Sequence, residues 1–166
     1  LGSLSVLSGV ASLCSKLLAI LEGMKLIVRS QNRILPAPKP SESHQQLTQL
    51  SGLVLEMLQR MYVVICIASQ RPLNRDQLRT LSQTTARKLA RLFGLAGAEF
   101  SEDRLFDAFI DGLLAKQYVT LDEEQKLIAS DLLHQVAEQA AQQVIDPSVH
   151  LALQRVISSG IDSMNV

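Results

Sequence analysis

Three histidines, His44, His134 and His150, are the first places to look for proton transfer or metal binding in this chain of 166 residues. None has a cysteine or a second histidine at ligand spacing, so none makes a zinc site. A histidine–aspartate dyad for acyl transfer needs an acid five residues after the histidine, where the carboxylate can orient the imidazole. Gln49, Gln139 and Arg155 stand there instead. Asp103, Asp107 and Asp111 recur every fourth residue and would share one face of a helix. Paired acids can hold a cation or move protons. Nothing in the sequence supplies the burial that would raise their pKa values, so a solvated helix face is the plainer reading. Cys14 and Cys66 form no Cys-x-x-Cys pair and read as reduced, largely buried thiols, with a disulfide between them as the alternative. There is no phosphate-cradling glycine loop and no Gly-x-Ser-x-Gly elbow. The expectation is a chain with no catalytic, cofactor-binding or metal-binding residues of its own.

One stretch does stand out. Arg71, Arg75, Arg79, Arg87, Lys88 and Arg91 crowd a short segment opposed only by Asp76. Steps of four make Arg75 and Arg79, and then Arg87 and Arg91, neighbours on a helix surface. Across the chain the charge is polarised. Residues 1–98 hold twelve Lys and Arg against four Asp and Glu, and residues 99–166 hold four against twelve. The two halves can neutralise one another, the basic segment pairing with the acidic helix after Ser101. Alternatively the basic segment faces an anionic surface, where each cation near lipid headgroups contributes about 1 kcal/mol. Nucleic acid is a weaker match, because the domain is not basic overall and its second hairpin is acidic.

These side chains must be held by helices. Hydrophobic residues make up 47% and aromatics 4%, a palette of aliphatic ridges that favours a mainly α fold over an aromatic-rich sandwich. Apolar residues from Leu4 to Leu21 recur at helical spacing, with Gly23 placed as the C-cap. Leu26-Ile27-Val28 and Ile34-Leu35 flank Ser30-Gln31-Asn32-Arg33 and predict a β-hairpin. The alternating prolines of Pro36-Ala37-Pro38-Lys39-Pro40 predict an extended linker and a domain boundary, dividing residues 1–40 from 41–166. A helix is expected from about His44 to Ser69. Its most apolar run, Met61–Ala68, is too short to span a membrane and reads as core, so no transmembrane segment is expected.

Asn74-Arg75-Asp76-Gln77 resembles a capping box, and the helix it opens reaches Phe93 with Gly94 as its C-cap. Ser101 caps the acidic helix. Tyr118-Val119-Thr120 pairs with Lys126-Leu127-Ile128 in a second hairpin turning through Asp122-Glu123-Glu124. Ser130 caps the next helix, and Asp146-Pro147 starts the last. A helix followed by a small hairpin therefore occurs twice, in 17–35 and 113–128, on a winged-helix-like plan, residues 1–40 being the end of a preceding unit of that kind.

Several segments are similar to one family in order and spacing. Leu58-Gln59-Arg60-Met61-Tyr62 resembles a segment near the C-terminus of the bacterial membrane-associated glycerol-3-phosphate 1-O-acyltransferases. So do Gly94-Leu95-Ala96-Gly97-Ala98-Glu99-Phe100, then Leu105-Phe106 and Phe109-Ile110. Upstream, Leu21-Glu22-Gly23-Met24-Lys25-Leu26 and Pro36-Ala37-Pro38 follow the same order, so the likeness runs from Leu17 to Arg155. The family has His where Phe93 stands and Asn-Ala-Pro where Ala96-Gly97-Ala98 stand, which leaves that loop without a family role here.

The resemblance implies a C-terminal helical domain whose partner is an upstream acyltransferase domain carrying the His-Asp dyad. It implies that the parent enzyme moves a fatty acyl group from acyl-CoA or acyl-carrier protein to the sn-1 hydroxyl of glycerol 3-phosphate in phospholipid synthesis. It implies a peripheral place on the cytoplasmic face of the bacterial inner membrane. No catalytic residue carries over, so the region alone is expected to be inactive. The competing expectation is a free-standing tandem winged-helix module that binds DNA or a protein partner.

Overall fold

A computed structural model describes residues 2–31, 33–93 and 103–162. Six helices and two two-stranded hairpins are present among them, so the fold is mainly α. Contacts divide the chain into two units, residues 1–54 and 55–166.

The first unit holds α1 (Gly2–Gly23), β1 (Ile27–Ser30) and β2 (Arg33–Pro36), followed by the opening turns of α2 (Glu42–Ala68). The hairpin is antiparallel, with Ser30 opposite Arg33 and Ile27 opposite Pro36. That leaves a two-residue turn in which Gln31 takes a positive φ of 45°, the conformation such turns favour. Pro36 ends an edge strand, where its missing N–H costs little. Ser41 caps α2 by accepting from the His44 amide at 3.1 Å. The His44 imidazole is held by the Ala37 carbonyl, with Nδ1 at 2.9 Å. Among the described side chains of this unit, the buried apolar ones are Leu26, Ile27 and Ala37.

The second unit holds the rest of α2, then α3 (Arg75–Phe93), α4 (Asp103–Ala115), β3 (Val119–Leu121), β4 (Leu127–Ala129), α5 (Asp131–Gln143) and α6 (Pro147–Asp162). Seven consecutive residues of α2, Tyr62–Ala68, are buried. A helix apolar on every side belongs at the centre of a core. Leu78 and Leu89 from α3, Ile110 from α4, and Leu153 and Ile157 from α6 close around it. By length and composition α2 is also apolar enough to cross a membrane, but its last turns are committed to this core. Before α3, Leu73 makes an isolated antiparallel bridge to Leu127 of β4, whose amide donates to the Leu73 carbonyl at 2.8 Å. Helix, bridge, helix, helix, hairpin is the winged-helix order.

Local signals decide most helix ends. Asn74 and Gln77 cap each other reciprocally, Gln77 N to Asn74 Oδ1 at 2.8 Å and Asn74 N to Gln77 Oε1 at 3.1 Å. The Ser130 hydroxyl oxygen accepts from the Leu133 amide. Asp146 accepts from both the amide and the hydroxyl of Ser148 at the start of α6, and that holds its carboxyl below the usual range. Gly94 and Ser101, expected as caps, lie outside the described residues.

Gly23 is not the left-handed residue that ends α1. Lys25 is, with φ of 60°. The Lys25 amide donates to Glu22 and the Leu26 amide to Leu21, the double closure of a Schellman motif. The same closure ends α4. Gln117 has φ of 59°, its amide donates to Leu114, and the Tyr118 amide donates to Leu113. After each hairpin the chain bonds back alike, Ala37 to Leu26 and Ser130 to Tyr118. The twofold occurrence is therefore real at the level of hydrogen bonds. Its register is sharper than the sequence suggested, because Leu21 and not Leu17 corresponds to Leu113. The second hairpin pairs Val119 with Ala129 and Leu121 with Leu127, one residue beyond the expected strand limits.

Candidate functional site

The six cations separate into groups. The capping box sets the N-terminal turn of α3 so that Arg75 and Arg79 lie against α4. Arg75 pairs with Asp111 and reaches an Asp107 carboxylate oxygen at 3.6 Å, and Arg79 meets the other Asp107 oxygen at 3.4 Å and Asp76 at 2.9 Å. Arg75 also donates to the Asp107 backbone carbonyl at 3.5 Å. The Arg75 guanidinium holds the Asp111 carboxyl below its ordinary range, and Asp111 in turn raises Arg75. Two acids of the Asp103-Asp107-Asp111 series therefore serve as counter-ions within the second unit. The side chain of Asp103 lies outside the described ones.

Arg71, in the turn before α3, is half-buried and engaged. Arg87, Lys88 and Arg91 differ from all of these. They lie exposed on the C-terminal half of α3, where Leu92 and Phe93 are exposed beside them.

A second cluster was invisible in sequence. The Tyr62 hydroxyl lies 2.6 Å from His150 Nδ1, across 88 positions of chain, with the rings 6.0 Å apart. Tyr62 also contacts the Cys66 thiol. Burial, then the bond to Cys66, pushes the phenol well above its usual range. Burial likewise pushes the Cys66 thiol up to about 11, against a smaller opposing effect of Tyr62. Both groups are thus held neutral. They border a groove of about 670 Å³ with Gln70, Glu138, His150 and Gln154 on its walls. A neutral thiol is a poor nucleophile, and the Tyr62–His150 bond ties α2 to α6. Cys66 is buried as expected, but Cys14 is exposed, and both are free thiols. Among the described residues, no three His, Cys, Asp or Glu side chains are grouped as a metal would need.

The profile of one family, described as the glycerol-3-phosphate acyltransferase C-terminal region, matches residues 7–122. The chain belongs to that family. Three proteins named glycerol-3-phosphate acyltransferase show how the match is distributed. The one from Pseudomonas fluorescens (strain SBW25) is 34% identical over 140 residues, 82% of this chain and 17% of the relative. Those from Ectopseudomonas mendocina (strain ymp) and Pseudomonas aeruginosa (strain LESB58) are each 34% identical, over 143 and 134 residues. These cover 84% and 78% of this chain, and 17% and 16% of the relatives. The chain thus spans about a sixth of the length of the curated relatives it matches. No solved structure matches it at a significant level.

The stretch shared with the glycerol-3-phosphate acyltransferase C-terminal region covers the capping box, all six cations and the Arg75–Asp107–Asp111 network, and it stops before His150. Of the resembling segments, Leu58–Tyr62 leads into the buried part of α2, and Phe106 and Ile110 form the inward face of α4. Gly94–Phe100 lies outside the described residues.

Proposed function

We propose that this chain is the C-terminal, non-catalytic part of a glycerol-3-phosphate 1-O-acyltransferase. In this reading the parent enzyme transfers a fatty acyl group from acyl-CoA or acyl-carrier protein to the sn-1 position of glycerol 3-phosphate in phospholipid biosynthesis. The observation that carries the reading is the match over four-fifths of the chain to proteins named glycerol-3-phosphate acyltransferase. The chain itself offers no acid five residues after any histidine, and its buried thiol and phenol are both held neutral. The test is an acyltransferase assay with glycerol 3-phosphate and acyl-CoA. The 166-residue chain should show no turnover, and the polypeptide extended through the upstream reading frame, with its His-x-x-x-x-Asp motif, should be active. Turnover by the chain alone, or an extended protein without activity, overturns the reading.

A peripheral place on the cytoplasmic face of the inner membrane belongs to the same proposal, with Arg87, Lys88 and Arg91 as the anionic-surface contact. The support is their exposure beside apolar Leu92 and Phe93, whereas Arg75 and Arg79 are neutralised by α4. Charge reversal at the three should abolish sedimentation with anionic vesicles; equal binding to neutral vesicles counts against it. DNA binding is not favoured. The hairpin that would serve as the wing turns through Asp122, Glu123 and Glu124.

A further inference from the structure

The two occurrences of the helix–hairpin element differ in what covers them. In the second unit, Phe106, Ile110 and Leu113 of α4 are at most 5% exposed and Leu127 of β4 is 1% exposed. They belong to one buried cluster with Tyr62–Ala68 at the end of α2, with Leu73, and with Leu78 and Leu89 of α3, and Leu73 bridges Leu127 directly. Matching the two Schellman closures residue by residue places Cys14, Leu18 and Leu21 where Phe106, Ile110 and Leu113 stand, and matching the strand pairs places Ile34 at Leu127. In the first unit Cys14 is exposed, Leu18 and Leu21 are half-buried, and Ile34 is 52% exposed. Leu17 and Ile20 add exposures of 51% and 57% on the same helix.

The backbone repeats the contrast. Leu127 lies opposite Leu121, next to the bonded pair of Asp122 and Lys126, so its amide points away from β3 and reaches Leu73. Ile34 occupies the equivalent place opposite Arg29, and among the described residues the isolated bridge at Leu73–Leu127 has no counterpart there. An outward N–H on an apolar edge is a template for one more strand residue.

We propose that this open face of the first unit is the seat of a two-helix segment of the same build as the end of α2, Leu73 and α3. That segment has an aliphatic inner face and one strand-like residue whose carbonyl accepts from the Ile34 amide. Its source is the longer acyltransferase polypeptide, upstream of α1, so the inference rests on the reading under Proposed function. The second unit supplies the template, and the length of the relatives, of which the 140 matched residues are 17%, supplies room for the segment.

Amide hydrogen exchange tests this, read at Ile34 with Leu127 as the internal reference, in the 166-residue chain and in the longer polypeptide that contains it. In the short chain Ile34 should exchange like an exposed edge amide. In the longer protein its protection should rise at least about 100-fold and approach that of Leu127. An unprotected Ile34 in a longer protein that is an active acyltransferase overturns this proposal and leaves the family reading standing. A longer protein without activity sinks the family reading, while Ile34 protection still decides the docking face. Protection in the short chain that grows with protein concentration assigns the face to a second copy. Protection that needs anionic vesicles assigns it to lipid. Either result overturns the proposal.

Discussion

At Cys66 burial works against ionisation, and the thiol is pushed up to about 11. Reaction with a disulfide reagent requires the thiolate. At pH 8 we therefore expect Cys14 to be modified within seconds to minutes and Cys66 at the rate at which the second unit opens. A Cys14→Ser chain that still shows one fast thiol would contradict this. Asp111 answers pH in the opposite sense. Arg75 depresses its folded pKa, so the pair's contribution is present above the unfolded carboxyl pKa of about 4 and is lost as pH falls through the lower folded value. Wild type should exceed Asp111→Asn in urea midpoint at pH 6, and the two should converge towards pH 2. A difference independent of pH would exclude the ion pair as its source.

Among the elements, two helix ends are closed by the wrong kind of residue. Lys25 and Gln117 hold the left-handed conformation that costs an L-residue roughly 1–2 kcal/mol, and glycine escapes that cost at some loss of chain entropy. Gln117→Gly should therefore raise stability by about 0.5–1 kcal/mol, and Gln117→Val should lower it, as read from urea midpoints. An unchanged or lowered midpoint for the glycine variant would show that the closure carries no strain. These closures also mark where sequence reading stops. The Asn74–Gln77 box, the Ser130 cap and the Ser30–Arg33 turn were legible because each is a contract between residues at most four apart. Lys25 was missed because Gly23, two residues earlier, is the more conventional cap, and Gln117 because nothing about glutamine signals a positive φ. The Tyr62–His150 bond and the choice of Arg75 and Arg79, but not Arg87, as partners of α4 depend on helix packing. No local spacing encodes them.

For the molecule as a whole, apolar burial is unequal. The second unit encloses more than twenty apolar residues in one cluster, whereas among the described side chains of the first the buried apolar ones are Leu26, Ile27 and Ala37. Stability follows buried apolar area, so urea should melt the 166-residue chain in two steps. Amides of β1 and β2 should be lost first, at a midpoint at least about 1 M below that of β3 and β4. Coincident transitions would show that α2, which runs through the division, couples the units into one cooperative body.

The packing of α6 has a consequence for synthesis. Val149, Leu153 and Ile157 of this helix join the same cluster that Tyr62–Ala68 begins, and Tyr62 meets His150 there. A ribosome delivers α2, α3 and α4 well before α6, so the side of the core that α6 covers stays open until some eighty residues beyond α2 have been translated. A nascent chain stalled before Pro147 is a client for chaperones and proteases. A nonsense codon there should remove the second unit entirely, not shorten it by one helix.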